Sequence, residues 1–359
     1  MMQKMLDLFS PTYRLEPSFH KLFPSTRYQG SKRKMLPFLE SILAPFAPCT
    51  ALDLYSGTSS VSLLLRAMGC RVIANDYTLY NYTTAKVLLS VNNSFFDYKH
   101  FQKILDFSFS KPMNFKTYVS SNFDGVYFRD FEYIEIDIFC HNIASLPEME
   151  RDLLIYLMGQ AMLMKRPYNL FHRANLSMRT KDVERSFGNA KTWETSFKNH
   201  MTSLFLKLSK FPFGGEVGSA LNLNTMNLSL FDVEPDLVYL DPPYLNKAGV
   251  GVNYADFYNF LEGLVDYNRF LMGDSRYPHK PIANYPSGWT TAKDGLSEIC
   301  RILDKWPLAT VALSYRGDGR PSIEEVKSTF SKMGYKFNEH FATEYKYALS
   351  KNNESTEEI

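Results

Sequence analysis

Four consecutive residues carry the groups needed to hold a flat aromatic amine: Asp241, Pro242, Pro243 and Tyr244. They follow the apolar run 237–240, which predicts a buried strand that ends at this tetrapeptide. The Asp241 carboxylate and the Pro242 carbonyl can accept hydrogen bonds from an exocyclic amine, while the Tyr244 ring can stack on the base. Two successive prolines fix φ and lack an N–H, which makes the turn rigid. An ordinary strand-ending turn is the alternative interpretation, because Asp and Pro are common in turns.

A second set of polar residues lies where the first predicted strand turns into a helix. Asp53, Tyr55 and Gly57 stand at this turn, and Asp76 ends the second predicted strand. Open α/β sheets bind ligands at the carboxyl ends of their strands, and an acid about 20 residues after the first turn receives ribose hydroxyls. The turn has one glycine and lacks G-x-G-x-x-G, which favours a ligand without a pyrophosphate, such as S-adenosylmethionine. For Asp76, an N-cap of the next helix is the alternative.

A basic and aromatic loop, residues 27–34, precedes these elements and leads into a predicted short helix at 35–43. The loop contains the Tyr28 ring, the Lys32 cation and, at Gly30, a backbone that can approach a ligand closely. We therefore expect it to close over the cofactor. A basic surface loop is the alternative interpretation.

Taken together, these motifs resemble the N6-adenine DNA methyltransferases of the alpha group, which includes the DNA adenine methylases. The resemblance covers residues 27–90 and 220–349. It implies an α/β fold with a Rossmann-like, S-adenosylmethionine-dependent methyltransferase sheet. It also implies transfer of a methyl group from S-adenosylmethionine to the N6 amine of a flipped-out adenine in double-stranded DNA. The residues that carry it are, in chain order, Tyr28, Gly30, Lys32, Asp53, Gly57, Asp76, Asp241, Pro242, Pro243 and Tyr244.

The resemblance and the local chemistry together assign roles to individual positions. The tetrapeptide Asp241 to Tyr244 is the predicted catalytic, amine-binding site. Ser31 departs from the family pattern, because a second glycine is common there. Asn222, Asn224 and Asn227 stand where a polar residue would approach the adenine of the cofactor. The predicted cofactor-binding residues are Tyr28, Gly30, Lys32, Asp53, Tyr55, Gly57, Asp76 and Asn224.

Strand–helix alternation stops near residue 95 and returns after residue 205, which predicts an inserted domain. We expect the methyltransferase domain to consist of residues 1–94 and 206–349, with a mainly helical target-recognition domain at 95–205 and a flexible tail at 350–359. The predicted strands are 50–55, 71–75, 220–223, 237–240, 309–314, 335–337 and 343–349, and the predicted helices are 35–43, 61–68, 78–90, 148–164, 255–270, 290–304 and 322–333.

Inside the predicted insertion, residues 165–191 are rich in basic side chains and poor in acids. Contacts to phosphates would give affinity, and side chains such as those of Asn169 and His172 would read base edges. Aromatic residues between them could stack or wedge into the space of a flipped base: Tyr168, Phe171, Phe187 and Trp193. A solvated helix face is the alternative. The predicted DNA-binding residues are Lys165, Arg166, Tyr168, Asn169, His172, Arg173, Arg179, Lys181 and Arg185.

Composition limits the other classes of function. The net charge of +2 is close to neutral, so a polyanion must be met by a local patch. The four cysteines form no C-x-x-C pair and have no histidine cluster nearby, so we expect neither a metal site nor a disulfide framework. A signal sequence and a long apolar run are lacking, which predicts a cytoplasmic protein that does not span a membrane.

Two other functions stay open at this point. An RNA methyltransferase acting on adenine N6 or guanine N2 could use the same tetrapeptide and cofactor. A non-catalytic DNA-recognition subunit could keep the fold without the chemistry. A glutamine methyltransferase would more typically carry Asn in place of Asp241. The resemblance also admits a cognate restriction endonuclease as a partner, while the oligomeric state and the recognition sequence are open.

Overall fold

The computed structural model describes residues 15–47, 49–95, 97–181, 189–243, 245–246, 249, 251, 254–281, 286–336, 343–345 and 356–358. Within these residues the chain has a mixed α/β fold built on a parallel sheet. This agrees with the predicted Rossmann-like fold class.

The sheet contains five parallel strands in the order β3-β2-β1-β4-β5. β4 is buried at every position, as expected of a central parallel strand that is covered on both faces. Because all five strands run in one direction, their carboxyl ends meet at one edge. The strands are β1 Thr50–Asp53, β2 Arg71–Asn75, β3 Ser219–Leu221, β4 Leu237–Leu240 and β5 Thr310–Leu313.

Helices cover both faces of this sheet. Neighbouring residues of one strand enter different cores: Tyr239 of β4 packs with the helices at 36–90, whereas Val238 packs with Ile302 and Trp306. The helices are α1 Leu36–Leu43, α2 Ser60–Ala67, α3 Leu79–Ser90, α4 Tyr98–Ser108, α5 Tyr118–Asn122, α6 Asp130–Ile143, α7 Glu148–Met164, α8 Ser177–Thr180, α9 Asn189–Glu194, α10 Phe197–Leu208, α11 Tyr254–Phe257, α12 Asn259–Val265, α13 Ala292–Lys305 and α14 Ile323–Lys332.

The predicted insertion is helical, but its helices share a core with the rest of the protein. α7 packs against α3, and one hydrophobic cluster runs from the sheet into α4, α6, α7 and α10. Gly159 makes this contact possible, because a Cβ at this position would lie 2.2 Å from the Tyr80 ring. The Tyr80 hydroxyl also donates to the Tyr156 carbonyl over 3.1 Å. The division at residues 95 and 205 stays a prediction.

One predicted helix differs from the structure in the region after β4. The single helix predicted at 255–270 is broken into α11, α12 and a 3₁₀ helix, Tyr267–Met272. The chain folds back after α12 so that the Phe270 ring packs on Gly263, where a Cβ would lie 2.5 Å from the ring. The hydrophobic periodicity of a sequence does not predict such a reversal of the chain.

The C-terminal region also differs from its prediction. Tyr335 and Lys336 are not part of a strand, and residues 337 and 346–349 lie outside the described residues. β6, Thr343–Tyr345, pairs antiparallel with β7, Thr356–Glu358. The tail at 350–359, predicted to be flexible, therefore contains a strand.

None of the described helices has the length and apolar character needed to span a bilayer. Over the same residues, no three His, Cys, Asp or Glu side chains form a cluster suited to a metal ion.

Candidate active site

A cavity of about 960 Å³, including its open mouth, lies at the carboxyl ends of β1, β2 and β4. All eight predicted cofactor-binding residues line it, and so do Asp241, Pro242 and Pro243. These residues come from five separate chain segments, which the parallel sheet brings to one edge. Tyr244 lies outside the described residues.

Asp53 ends β1 and is almost completely buried in the wall of this cavity. Ser62 donates a hydrogen bond to the Asp53 Oδ2 atom over 2.5 Å. The Oδ1 atom is buried and has no hydrogen-bond partner among the described residues. Burial raises the pKa of Asp53 to about 7, and the neighbouring carboxylates of Asp241 and Asp76 act in the same direction. The arrangement leaves one carboxylate oxygen for a ligand.

Asp76 follows β2 and fixes the floor of the cavity. Its carboxylate accepts hydrogen bonds from the Gly57 N–H over 3.0 Å, from the Thr78 N–H and hydroxyl, and from the Asn81 amide. Burial raises the pKa of Asp76, and these hydrogen bonds oppose that effect. Helix α3 begins three residues later, and Asp76 does not bind its first N–H groups, so the N-cap interpretation is not supported.

Glu262 of α12 takes the capping role instead. Its carboxylate accepts from the N–H groups of Leu79 and Tyr80, each over 3.0 Å. Burial raises the pKa of Glu262 to about 7. Sequence analysis missed this residue, although an acid in the apolar run 259–265 was a usable signal.

The loop predicted to close over the cofactor lies along the cavity. The Tyr28 ring stacks on Tyr258, with ring centres 3.9 Å apart, and its hydroxyl accepts from the Asn81 amide over 3.0 Å. Gly30 has φ +82°, and a Cβ there would lie 2.9 Å from the Tyr254 hydroxyl. Only glycine fits this position without displacing Tyr254.

Lys32 contacts the catalytic tetrapeptide directly. Its Nζ atom lies 2.9 Å from Asp241 Oδ1, and the lysine side chain is 5% exposed. The sequence predicts a cofactor contact for Lys32 and gives no sign of its pairing with Asp241.

Tyr55 and Trp289 form another part of the cavity lining. The Trp289 indole N–H donates to the Tyr55 hydroxyl over 3.0 Å, and that hydroxyl lies 3.3 Å from Thr225 Oγ1. Burial raises the pKa of Tyr55 to about 12. Asn224 lines the cavity, but its amide holds the loop together by donating to the Pro286 carbonyl and accepting from the Met226 N–H. Trp289 was also missed by sequence analysis, because nothing near it in the chain marks a site.

Three of the predicted DNA-binding residues are buried: Lys165, Arg166 and Arg179. Lys165 and Arg179 each lie 2.9 Å from Glu132 Oε1. Burial alone would raise the pKa of Glu132, but these two cations lower it below its ordinary value. Arg166 donates to the carbonyls of Leu170, Tyr127 and Arg173. In this conformation none of the three reaches a surface, so the structure contradicts their assignment to DNA contact.

Other residues of the predicted DNA-binding stretch do reach the surface. Tyr168 is 58% exposed on a turn where both Tyr168 and Asn169 have positive φ. Arg173 and Lys181 are exposed as well, and His172 is partly buried with its ring centre 4.7 Å from that of Phe257. Phe171 and Trp193 are buried, which excludes them as wedges in this conformation. Arg185 and Phe187 lie outside the described residues.

The chain is similar to known DNA methyltransferases. A family described as D12 class N6 adenine-specific DNA methyltransferase matches residues 28–266. The chain is also similar to the Type II methyltransferase M2.HphI of Haemophilus parahaemolyticus, with 29% identity over 327 residues, which cover 88% of this chain and 89% of the relative. No solved structure was found to match the chain.

Proposed function

Because this chain belongs to the D12 class of N6 adenine-specific DNA methyltransferases, we propose that its cavity binds S-adenosylmethionine next to the adenine to be methylated. The chain is an adenine-specific DNA methyltransferase, and its substrate is DNA.

The buried, unpartnered Oδ1 atom of Asp53 is the observation that carries the cofactor proposal. A buried carboxylate oxygen requires a hydrogen-bond donor or a cation. Among the described residues that line the cavity, three carry carboxylates and one, Lys32, carries a cation. This negative balance suits a ligand with a sulfonium and an ammonium group. Asp53 would hold the ammonium group, and Asp76 would hold the ribose hydroxyls.

The remaining walls suit the other parts of the same ligand. Gly57 lies in a left-handed conformation, and no atom of the described residues lies within 4 Å of where a Cβ would stand, so its backbone is open to the methionine part. Tyr55 also lines the cavity. Tyr28 and Gly30 would close over the ligand. The loop that Asn224 stabilises would lie beside the adenine ring of the cofactor.

The bound cofactor supplies an electrophilic methyl group on a sulfonium sulfur. Asp241 and the Pro242 carbonyl would accept hydrogen bonds from the two N–H groups of the N6 amine. These contacts would direct the amine nitrogen toward the methyl group. The N–C bond would form as the S–C bond breaks, with the electron pair of that bond left on sulfur, and the amine would then release its proton to solvent. Tyr244 would stack on the base. We assign no general base and no covalent intermediate.

An adenine inside a duplex cannot reach this cavity, so the base would rotate out of the helix. The exposed turn at Tyr168 and Asn169 projects from a loop that the buried Arg166 holds. We propose that this turn, together with His172, Arg173 and Lys181, faces the DNA. Phosphate contacts from the two cations would supply salt-dependent affinity.

The similarity to a Type II methyltransferase supports methylation at a specific sequence and a cognate restriction endonuclease in the same system. Domain boundaries within the chain, with a target-recognition region at 95–205, remain part of this proposal.

Transfer of a labelled methyl group from S-adenosylmethionine tests the proposal. Purified protein is incubated with adenine-containing duplex DNA, and with RNA of the same sequence as the control. Mass spectrometry of the nucleosides should show N6-methyladenine in the DNA and little in the RNA. Failure of the protein to bind the cofactor, or preferential methylation of RNA, would contradict it.

A further inference from the structure

An ion pair within the cavity joins the loop at 27–34 to the catalytic tetrapeptide. Lys32 Nζ lies 2.9 Å from Asp241 Oδ1, and the side chains are 5% and 18% exposed. A charge-assisted contact of this length that is largely shielded from water is strong and directional. Lys32 is therefore in contact with the residue proposed to bind the amine.

The structure holds the lysine backbone in place. Lys32 opens a 3₁₀ helix, Lys32–Met35, and its N-cap residue Ser31 accepts from the Arg33 N–H. Ser31 Oγ also lies 2.5 Å from Thr26 Oγ1 and 3.3 Å from Thr58 Oγ1, which ties the loop to the turn after β1. Arg33 donates to the Phe23 carbonyl over 2.8 Å. A loop anchored in this way can fix the direction of a side chain.

The other partner is equally constrained. Asp241 follows β4, whose Leu240 carbonyl accepts from the Ser314 N–H over 2.8 Å, and two prolines come next. The ion pair thus joins two constrained backbone segments, and the fold sets the distance between Lys32 Nζ and Asp241 Oδ1.

The cavity has more carboxylates than cations. Asp53, Asp76 and Asp241 line it with Lys32 as the only positive side chain among the described lining residues. Because Lys32 is paired with Asp241, the negative charges of Asp53 and Asp76 are left for a cationic ligand. The charges of the site are therefore divided between an amine-binding corner and a cofactor-binding floor.

From this geometry we infer that Lys32 is a positioning residue for methyl transfer, which orients the Asp241 carboxylate and keeps it ionised as the acceptor for the N6 amine. The inference rests on the proposed function, and it replaces the assignment of Lys32 to the cofactor. It separates two roles within one loop, because Tyr28 and Gly30 stay on the cofactor side.

The consequence of losing Lys32 follows from this division. Without the cation, the shielded Asp241 carboxylate either takes up a proton or turns toward solvent, and both changes remove an aligned acceptor. The contacts of Asp53 and Asp76 are not altered. Transfer should fall while cofactor affinity is retained. If Lys32 instead bound the cofactor, affinity would fall and saturating cofactor would restore the rate.

The experiment compares Lys32→Met with Lys34→Met, which removes an exposed lysine from the same 3₁₀ helix. Affinity for S-adenosylmethionine is measured by calorimetry, and the methylation rate by single-turnover kinetics with both substrates saturating. We expect Lys32→Met to transfer about 100-fold more slowly, a loss typical of a displaced charge-stabilising group, with an affinity within about threefold of wild type. Lys34→Met should behave as wild type. Lys32→Arg, which keeps a cation, should recover about tenfold of the loss.

A double mutant distinguishes action through Asp241 from any other effect. Adding Lys32→Met to Asp241→Asn should slow transfer by less than about threefold, because the lysine no longer has a carboxylate to orient. An additive loss would contradict the inference, and so would an affinity about tenfold weaker in Lys32→Met with a normal rate at saturation. If Lys32→Met does not fold, as judged by circular dichroism, Lys32→Gln takes its place. Absence of any N6 methylation by the wild type would count against the proposed function and not against the role of Lys32.

Discussion

Gly57 donates its backbone N–H to the Asp76 Oδ2 atom over 3.0 Å, which joins the turn after β1 to the end of β2. Gly57 has φ +49°, so the turn needs a left-handed residue, although space for a side chain exists in front of it. This open space next to a fixed carboxylate forms the centre of the proposed cofactor site. This hydrogen bond holds the two strand ends together.

Removal of the Asp76 carboxylate should weaken cofactor binding. Asp76→Ala loses the proposed pair of ribose hydrogen bonds and frees the Gly57 N–H, so we expect an affinity about 10- to 100-fold lower. Asp232→Ala, at an exposed position, is the matched control. Calorimetric titration with S-adenosylmethionine measures both variants. An unchanged affinity for Asp76→Ala would remove this residue from the site.

Cofactor affinity should increase with pH through about 7. Burial raises the pKa of Asp53 to about 7 in the free protein, so the carboxyl is largely neutral below that pH and ionised above it. A cationic ligand prefers the ionised form. Affinity should therefore be lost as pH falls from about 8 to 6, and Asp53→Asn should bind weakly with a much flatter profile. A wild-type affinity that is constant over this range would contradict the assignment.

Asp53→Asn should also stabilise the protein without ligand at pH 8. The folded state holds the Asp53 proton up to a pH of about 7, whereas the unfolded chain releases it near its ordinary value of 3.8. Between these values the folded state binds more protons, so Asp53 lowers the free energy of unfolding as pH rises, and the full loss is present above 7. Urea unfolding at pH 5 and pH 8 should show a larger gain from Asp53→Asn at the higher pH. An equal effect at both values would argue against a buried charge.

Glu262 should be important for stability. Glu262→Ala leaves the N–H groups of Leu79 and Tyr80 without their acceptor, which should lower the free energy of unfolding by about 2 kcal/mol. Glu324→Ala, an exposed residue in the first turn of α14, should change it by less than about 1 kcal/mol. Chemical denaturation compares the two, and equal losses would contradict the capping role.

Replacement of Arg166 should affect stability, whereas replacement of Arg173 should affect DNA binding. Arg166→Ala removes a buried guanidinium that binds three carbonyls, so it should lower stability. Arg173→Ala removes an exposed cation and should leave stability within about 0.5 kcal/mol while lowering DNA affinity and its salt dependence. Fluorescence anisotropy with duplex DNA at several salt concentrations measures the second effect. Unchanged DNA binding in Arg173→Ala would move the interface elsewhere.

The sequence was most informative where function and backbone geometry coincide. The strands β1, β2 and β4 and the polar residues at their carboxyl ends could be predicted because apolar runs end at or next to Asp53, Asp76 and Asp241. Asp76 and Gly57 are far apart in the chain, yet both follow a strand end, and parallel packing brings strand ends together.

The parts that sequence could not supply depend on long-range packing. Lys165 and Arg179 read as a basic surface, but Glu132, more than 30 residues earlier in the chain, pairs with both inside the core. Charge counting within a short stretch cannot detect a partner of this kind. Trp289 likewise reaches Tyr55 from the far end of the chain.

Asp241 should present its carboxylate to the N6 amine beside the bound methyl donor. Asp241→Ala, with wild type alongside, is measured for S-adenosylmethionine affinity and for single-turnover methylation of adenine in duplex DNA. We expect an affinity within about tenfold of wild type and a transfer rate lower by about 1000-fold or more. A variant that methylates adenine at the wild-type rate would contradict it.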